Sequence, residues 1–331
     1  MIDYVSINQI IPLTSANFNL PLWNFAQSPN SGEFLWHKKR GVTVYYYPSS
    51  HRLIINGKLI TLLHDTQVSN FDDIYGNLRD EFIADINQVL NSLFTAPVLD
   101  IQTFHTTRID YCFNVETPYV DDYIHFLSRA FQTINTGRRT DYAYNFGLHG
   151  SIYIKNYSEY EKNIRTNYTL NVYNKANRLE YLCARRTPIP PSDFLLAKDL
   201  LRIEVQASYG LIKAIRKHFS IDQTFGALFN YDVAQFAISS VFKRVFHLDP
   251  SCDFYTYQAA KQLTHSNTAP ARLLYILATN HNVSAPKYTY QRQQLAQLGI
   301  YPYHLLHKNT PAPFLKSPLK LISDKISTYR S

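Results

Sequence analysis

Cysteine is scarce in this chain of 331 residues: only Cys112, Cys183 and Cys252 occur. None is spaced for a zinc site or a redox pair, so they read as packed free thiols, which suits a reducing compartment. Histidine supplies no His-x-His pair, and His105, His125 and His149 stand alone. That argues against a nuclease of the His-hydrophobic-His type. Also absent are a glycine-rich phosphate loop, a Gly-x-Ser-x-Gly elbow and a dinucleotide fingerprint. There is no N-terminal signal peptide and no apolar run of about 20 residues. A cytoplasmic protein with no membrane partner is expected.

What the chain does have is positive charge and aromatic rings. Thirty-three Lys and Arg against 25 Asp and Glu give a net charge of +8. Such a balance favours an anionic partner, nucleic acid above all. The 26 Tyr and 20 Phe strengthen that expectation, because rings beside Lys and Arg can stack unpaired bases. Most of them are nevertheless expected in the core, which a 45% hydrophobic content makes substantial.

Four segments alternate apolar and polar residues with one shared parity: Thr107–Val115, Ser151–Lys155, Leu170–Lys175 and Leu201–Gln206. Side chains alternate faces along a strand. One face therefore collects Ile109, Tyr111, Phe113, Ile152, Ile154, Leu170, Val172, Ile203 and Val205. The other collects Arg108, Asp110, Asn114, Tyr153, Lys155, Asn171, Tyr173, Lys175, Arg202, Glu204 and Gln206.

Around these strands the pattern predicts an α+β fold, a mostly antiparallel sheet with helices on one face. Residues 1–40 read as an irregular segment. Residues 41–220 read as the α+β domain, with a hairpin around Pro48–Ser50, helices over 78–94, 118–134 and 211–219, and a turn over 156–165. Pro118 and Asp121-Asp122 suit a helix start. Residues 221–331 read as a helical domain with segments at 225–246, 254–263, 270–279 and 288–298. The last two form a helix-turn-helix candidate whose Tyr290, Gln291 and Arg292 suit phosphates or base edges. Plain helical packing is the other reading of that hairpin.

Asp110 and Glu204 are mid-strand carboxylates, each following an Arg by two residues. A poorly solvated carboxylate needs a partner cation. Either each pairs with an arginine, or the two hold Mg or Mn, which take oxygen ligands. Glu180 is a third ligand or a solvated charge. Lys175 suits charge stabilisation at a phosphate. Tyr153 and Tyr173 are candidate nucleophiles, with Tyr157 and Tyr160 as competitors in the adjoining turn. Arg108, Arg202 and the basic loops Arg138-Arg139 and Arg185-Arg186 would grip a DNA backbone.

The ordered blocks Arg108-Ile109-Asp110-Tyr111-Cys112-Phe113-Asn114, Ser151-Ile152-Tyr153-Ile154, Leu170–Lys175 with Glu180, and Leu201–Gln206 resemble the replication initiation factor family. This family comprises rolling-circle initiators of Gram-positive plasmids and related phage replication proteins. The tail Tyr288–Arg292 with Leu298-Gly299-Ile300 is similar to the C-terminal helical element of phage-type members. The resemblance implies a metal-dependent nicking and joining enzyme of a bacterial host. It would cut one origin strand, keep a 5′-phosphotyrosyl link and leave a 3′-hydroxyl for polymerase. It also implies Tyr153 as nucleophile, Asp110, Glu204 and Glu180 as carboxylates, and Lys175 as the lysine of the Tyr-x-Lys block. Lys155-Asn156 stands where the family has Gly-Ser. Implied partners are origin DNA, duplex and single-stranded, host helicase and polymerase, and a second copy of the chain. The rival from the residues alone is a non-enzymatic DNA-binding regulator of a plasmid or phage, and a third reading is an RNA-binding protein with an aromatic sheet.

Overall fold

The computed structural model describes residues 1–29, 32–96, 99–134, 142–146, 151–160, 163–246, 253–264, 295 and 314–330. In chain order the elements begin with β1 (Ile2–Ile10), β2 (Asn24–Ser28), β3 (Gly32–Lys39), β4 (Val42–Tyr47) and β5 (Arg52–Gly57). Helices α1 (Ile60–Leu63), α2 (Phe71–Tyr75) and α3 (Arg79–Asn91) follow. Next come β6 (His105–Glu116), α4 (Val120–Ile134), β7 (Tyr142–Phe146), β8 (Ser151–Tyr160) and β9 (Asn163–Asn174). After them lie α5 (Lys175–Ala184), α6 (Pro191–Leu196) and β10 (Leu200–Ala207). The rest comprises α7 (Tyr209–Phe219), α8 (Phe225–Leu228), α9 (Tyr231–Phe246), β11 (Phe254–Tyr255), α10 (Tyr257–Leu263), β12 (Phe314–Leu315) and α11 (Pro318–Arg330).

The fold is α+β around one large antiparallel sheet, ordered β2-β3-β4-β5-β1-β6-β10-β9-β8-β7. This order contains a repeat. Counting outward from the β1–β6 seam, the first unit runs β1, β5, β4, β3, β2 and the second runs β6, β10, β9, β8, β7. Each unit lays its first strand at the centre, pairs its fifth strand back onto it and then steps outward. The antiparallel seam relates the two units by a local two-fold, so both present their non-core side in the same direction.

Local chemistry explains the strand connections. The β3–β4 turn has only two residues, Arg40 (φ 47°) and Gly41 (φ 82°), both left-handed. That is the type I′ geometry whose twist matches the flanking strands, and glycine supplies the second positive φ at no steric cost. Helix α4 starts with Asp121 and Asp122 in its first turn, as its positive end favours. Its face of Tyr123, Ile124, Leu127 and Phe131 is buried. Helix α7 ends at Ser220, left-handed at φ 53°, after Arg216, Lys217 and His218 in the last turn.

The apolar face of the four parity-matched strands is the core: Ile109, Tyr111, Phe113, Ile152, Ile154, Leu170, Val172, Ile203 and Val205 are all buried. Helices α3, α4, α7 and α9 share one hydrophobic cluster with it. Burying each such side chain is worth about 1.5–3 kcal/mol over leaving it exposed.

The structure departs from the sequence reading in several places. Residues 1–40 carry β1, β2 and β3, and β1 sits at the centre of the sheet. The expected turn over 156–165 is the far end of a long β8–β9 hairpin, paired through Tyr160↔Asn163. The helix expected over 225–246 breaks at Phe229-Asn230, where the Asn230 side chain accepts from Asp232 N at 2.7 Å and starts α9. Residues of α8, α9 and α11 join the same core as the sheet. Helices do not keep to one face, for α5 lies against the polar side. The helix-turn-helix candidate over 270–298, apart from Leu295, and Arg138, Arg139, Tyr290, Gln291 and Arg292 lie outside the described residues.

Candidate active site on the polar face

Register brings the polar residues of the second unit into rows. One row runs Tyr153↔Asn171↔Glu204↔Cys112 across β8, β9, β10 and β6. The next runs Lys155↔Thr169↔Gln206↔Asp110. A third runs Ser151↔Tyr173↔Arg202↔Asn114. Asp110 and Glu204 are thus diagonal neighbours on adjacent strands and face the same way. Over this face lies a pocket of about 710 Å³ lined by Asp3, Tyr4, Lys58, Arg108, Asp110, Tyr153, Asn171, Tyr173, Lys175, Glu204 and Gln206, with α5 as one wall.

Helix α5 forms that wall because β9 stops at Asn174. The Asn174 side chain accepts from the backbone N–H groups of Ala176 and Asn177 at 3.0 and 3.4 Å, an N-cap that turns the chain. Lys175 is therefore the first helical residue rather than the last residue of the strand, yet it still reaches the pocket. Arg178, Tyr181 and Arg185 follow at helical spacing on the same side. Both guanidiniums lie over the Tyr181 ring, at 5.1 and 4.4 Å from its centroid. Arg186 falls just beyond the helix, exposed and left-handed at φ 60°.

Arg202 anchors the site. It is fully buried, donating to Val68 O at 3.0 Å, Asn114 Oδ1 at 3.3 Å and Cys112 Sγ at 3.2 Å. It also pairs with Asp3 Oδ1 at 2.5 Å, and its Nε lies 3.8 Å from Glu204 Oε2. Burial works against its charge, but Asp3 and then Cys112, Tyr173 and Glu204 hold its pKa well above the ordinary arginine value. Losing one partner of such a buried pair typically costs about 3–5 kcal/mol.

The carboxylates have separate environments. Asp110 accepts both Arg108 Nε at 2.8 Å and Arg108 Nη2 at 2.6 Å. Burial nevertheless pushes its pKa up to about 7, against the pull of Arg108 and with the Glu204 charge adding to the rise. Glu204 accepts Asn171 Nδ2 at 3.0 Å, Gln206 Nε2 at 3.1 Å and Tyr173 OH at 3.4 Å. Asp3, from the bulged start of β1, is a third acid in the pocket. Burial would raise it, but Arg202, Lys58 and Lys175 overcome that and hold it well below the usual carboxylate range.

The two candidate tyrosines separate. Tyr173 is half-buried in the pocket wall, and loss of solvation, with Glu204 and Asp3 adding, raises its phenol well above the ordinary value. It serves as a protonated donor to Glu204. Tyr153 is 39% exposed on the pocket's lip, one strand from Asn171 and two from Glu204. Tyr157 and Tyr160 lie further along β8, past the end of β10, whose pairing stops at Ala207↔Tyr168 opposite Asn156.

Lys175 is buried, and that burial, with Arg202 and Lys58 adding, lowers its pKa well below the ordinary lysine value. Arg202 is therefore the fixed cation beside the acids. Glu180 is exposed on another side of α5 and does not line the pocket. The reason is that it is a helical residue five positions from Lys175, not the end of a strand.

A divalent cation can be tested against this geometry. Among the described residues no group of three or more His, Cys, Asp or Glu forms a metal shell. Asn171, which lines the same pocket and donates to Glu204, has its Oδ1 buried with no hydrogen-bond partner. Two carboxylates and an amide oxygen are hard ligands of the kind Mg or Mn accepts. Each carboxylate also keeps lone pairs beyond those its present donors use. The set fits such an ion.

Sequence reading missed Asp3, Tyr4 and Lys58. A signal was available: Ile2-Asp3-Tyr4 on β1 repeats Ile109-Asp110-Tyr111 on β6, the first strand of each unit. Among the described residues no helix is long and apolar enough to cross a membrane. No family model matches the chain, and no curated protein matches it.

Proposed function

We propose that this protein is a rolling-circle replication initiator, a metal-dependent enzyme that nicks one DNA strand at an origin and later rejoins it. One observation carries the reading: an exposed tyrosine, three carboxylates and several cations share one pocket on one sheet face. The order of the four sequence blocks supports it independently.

In this reading Tyr153 Oη bonds to the scissile phosphorus as the P–O3′ bond breaks. The phenol gives up its proton and the 3′-oxygen takes one up. The products are a 5′-phosphotyrosyl ester and a 3′-hydroxyl, and attack by that hydroxyl reverses the step. Arg178 and Arg185 hold flanking phosphates, while Lys58 stays paired with Asp3 at 3.3 Å. Tyr173, Asn171 and Gln206 fix the orientation of Glu204. Asp110, Glu204 and the Asn171 amide oxygen would hold a magnesium or manganese ion, which when bound would supply positive charge at the phosphate. The C-terminal segment bearing Tyr290, Gln291 and Arg292 reads duplex origin DNA, and Arg138-Arg139 grips the backbone. Host helicase and polymerase extend the released 3′-end, and a second copy of the chain can join at the origin.

The bidentate Arg108–Asp110 pair favours one rival, a non-enzymatic DNA-binding regulator in which that pair is structural. Incubation with supercoiled DNA carrying the element's own origin, with manganese, separates the two. Relaxed circles bearing a covalent adduct mapped to Tyr153 are expected. Shifted but intact DNA at saturating protein sinks the nicking reading and supports the regulator.

A further inference from the structure

The two units differ in the connection that bears on their polar faces. Between its fourth and fifth strands the second unit inserts α5 and α6, and α5 walls its polar face. The first unit makes that connection with Pro48–Ser50 alone. Among the described residues that connection places no helix over the first unit's equivalent face, which carries rings.

Parity puts Phe34 and Trp36 of β3 and Tyr45 and Tyr47 of β4 on that side, because Leu35, Val42, Val44 and Tyr46 take the core side. Trp36 pairs directly with Tyr45. Tyr45 and Tyr47 stack at 6.4 Å between centroids with 25° between planes, and Phe34 lies 5.4 Å from Tyr47 and 6.0 Å from Tyr45. All four are partly exposed. Exposed Lys38 and Arg52 share the face. Tyr4 of β1 links it to the pocket, carrying the Arg108 guanidinium over its ring at 4.6 Å. From β4 to β6 is three strand spacings, about 14 Å.

We infer that this aromatic face of the first unit is a stacking platform for unpaired bases of single-stranded DNA, leading the strand across Tyr4 into the pocket. Rings with interspersed cations bind single strands without base preference, through stacking and phosphate contact. The identification of the strand as DNA rests on the nicking reading. The alternative is that these rings are cross-strand pairs that only stabilise the hairpin.

The test measures binding of the full chain to a thymidine oligonucleotide of about 20 nucleotides, an abasic strand of equal length and the uridine equivalent. The thymidine strand is expected to bind about tenfold or more tightly than the abasic one. Replacing Phe34, Tyr45 and Tyr47 together by Leu, which keeps the apolar bulk, is expected to erase that preference and leave salt-dependent phosphate binding. Equal binding of thymidine and abasic strands by the native chain overturns the platform, as does an undiminished preference in a folded variant. Uridine binding as tight as thymidine overturns the choice of DNA. Should the variant fail to fold, photo-crosslinking of the native chain to a bromodeoxyuridine strand decides. Adducts on the peptides of β3 and β4 support the platform, and adducts confined elsewhere overturn it. A manganese-dependent Tyr153 adduct without base-dependent binding refutes the platform alone, whereas base-dependent binding without the adduct refutes nicking alone.

Discussion

The first five-strand unit turns from its fourth strand to its fifth over Pro48–Ser50, whereas the second spends α5 and α6 on the same connection. Both units share strand order and both face the same direction. Their exposed sides nevertheless carry different chemistry: rings and scattered cations on one, buried acids around a guanidinium on the other. The difference teaches that a repeated backbone does not repeat a site. Beside the inserted helix the acids are buried, and burial and the neighbouring charges shift the proton affinities of Asp110 and Asp3 in opposite directions.

The sharpest way to break this comparison is to remove the proposed nucleophile. Tyr153→Phe is expected to abolish the covalent adduct, a loss of roughly a thousandfold or more, with oligonucleotide affinity retained. Tyr173→Phe, which removes only a donor to Glu204, should cost about tenfold. Equal losses from both would erase the distinction between the exposed Tyr153 and the half-buried Tyr173.

A second test uses stability. The folded-state affinity of Asp110 for its proton, near pH 7, exceeds that of an unfolded aspartate at about 3.9. Its protonated form is therefore favoured by folding, and the native chain loses stability as pH rises from about 4 through 7. Asp110→Asn removes this dependence. Urea unfolding should show the variant more stable at pH 8, by about 4 kcal/mol at most, with little gain at pH 4. A variant less stable at pH 8 would make the Arg108 pair, rather than burial, the dominant influence.

Smaller effects sharpen the comparison. Arg178→Ala and Arg185→Ala should each weaken single-strand binding and lower the salt slope by about 1, whatever the base composition. Glu180→Gln should leave nicking within about twofold, as expected of an exposed charge away from the pocket. A large loss there would place a third carboxylate back in the reaction.

Much of the second unit was legible because its strands keep strict alternation. Ile109 to Val115 and Leu201 to Val205 give core and polar faces without ambiguity, and Asp121-Asp122 marks the start of α4. The first unit was not legible, for two physical reasons. Strand β1 breaks its alternation at a bulge between Ile2 and Val5, which puts Asp3 and Tyr4 out of step. Strand β2 is the sheet's edge and β3 lies next to it; Phe25 is exposed and Phe34 and Trp36 face away from the core, so hydrophobicity does not track burial. Within the site, the Tyr173–Glu204 contact and the position of Glu180 depended on where β9 ends. That end is fixed by a single side chain, Asn174, whose capping role a run of alternating residues conceals.

The Asp3–Arg202 pair has a consequence beyond the pocket. Asp3 belongs to the first unit and Arg202 to the second, so their ion pair spans the seam between β1 and β6. Sliding β1 by one residue would turn Asp3 toward the apolar side and strand a fully enclosed guanidinium without its nearest counter-charge. The pair thus acts as a registration lock, ensuring that the two halves meet in the one alignment that sets Tyr4 beside Asp110.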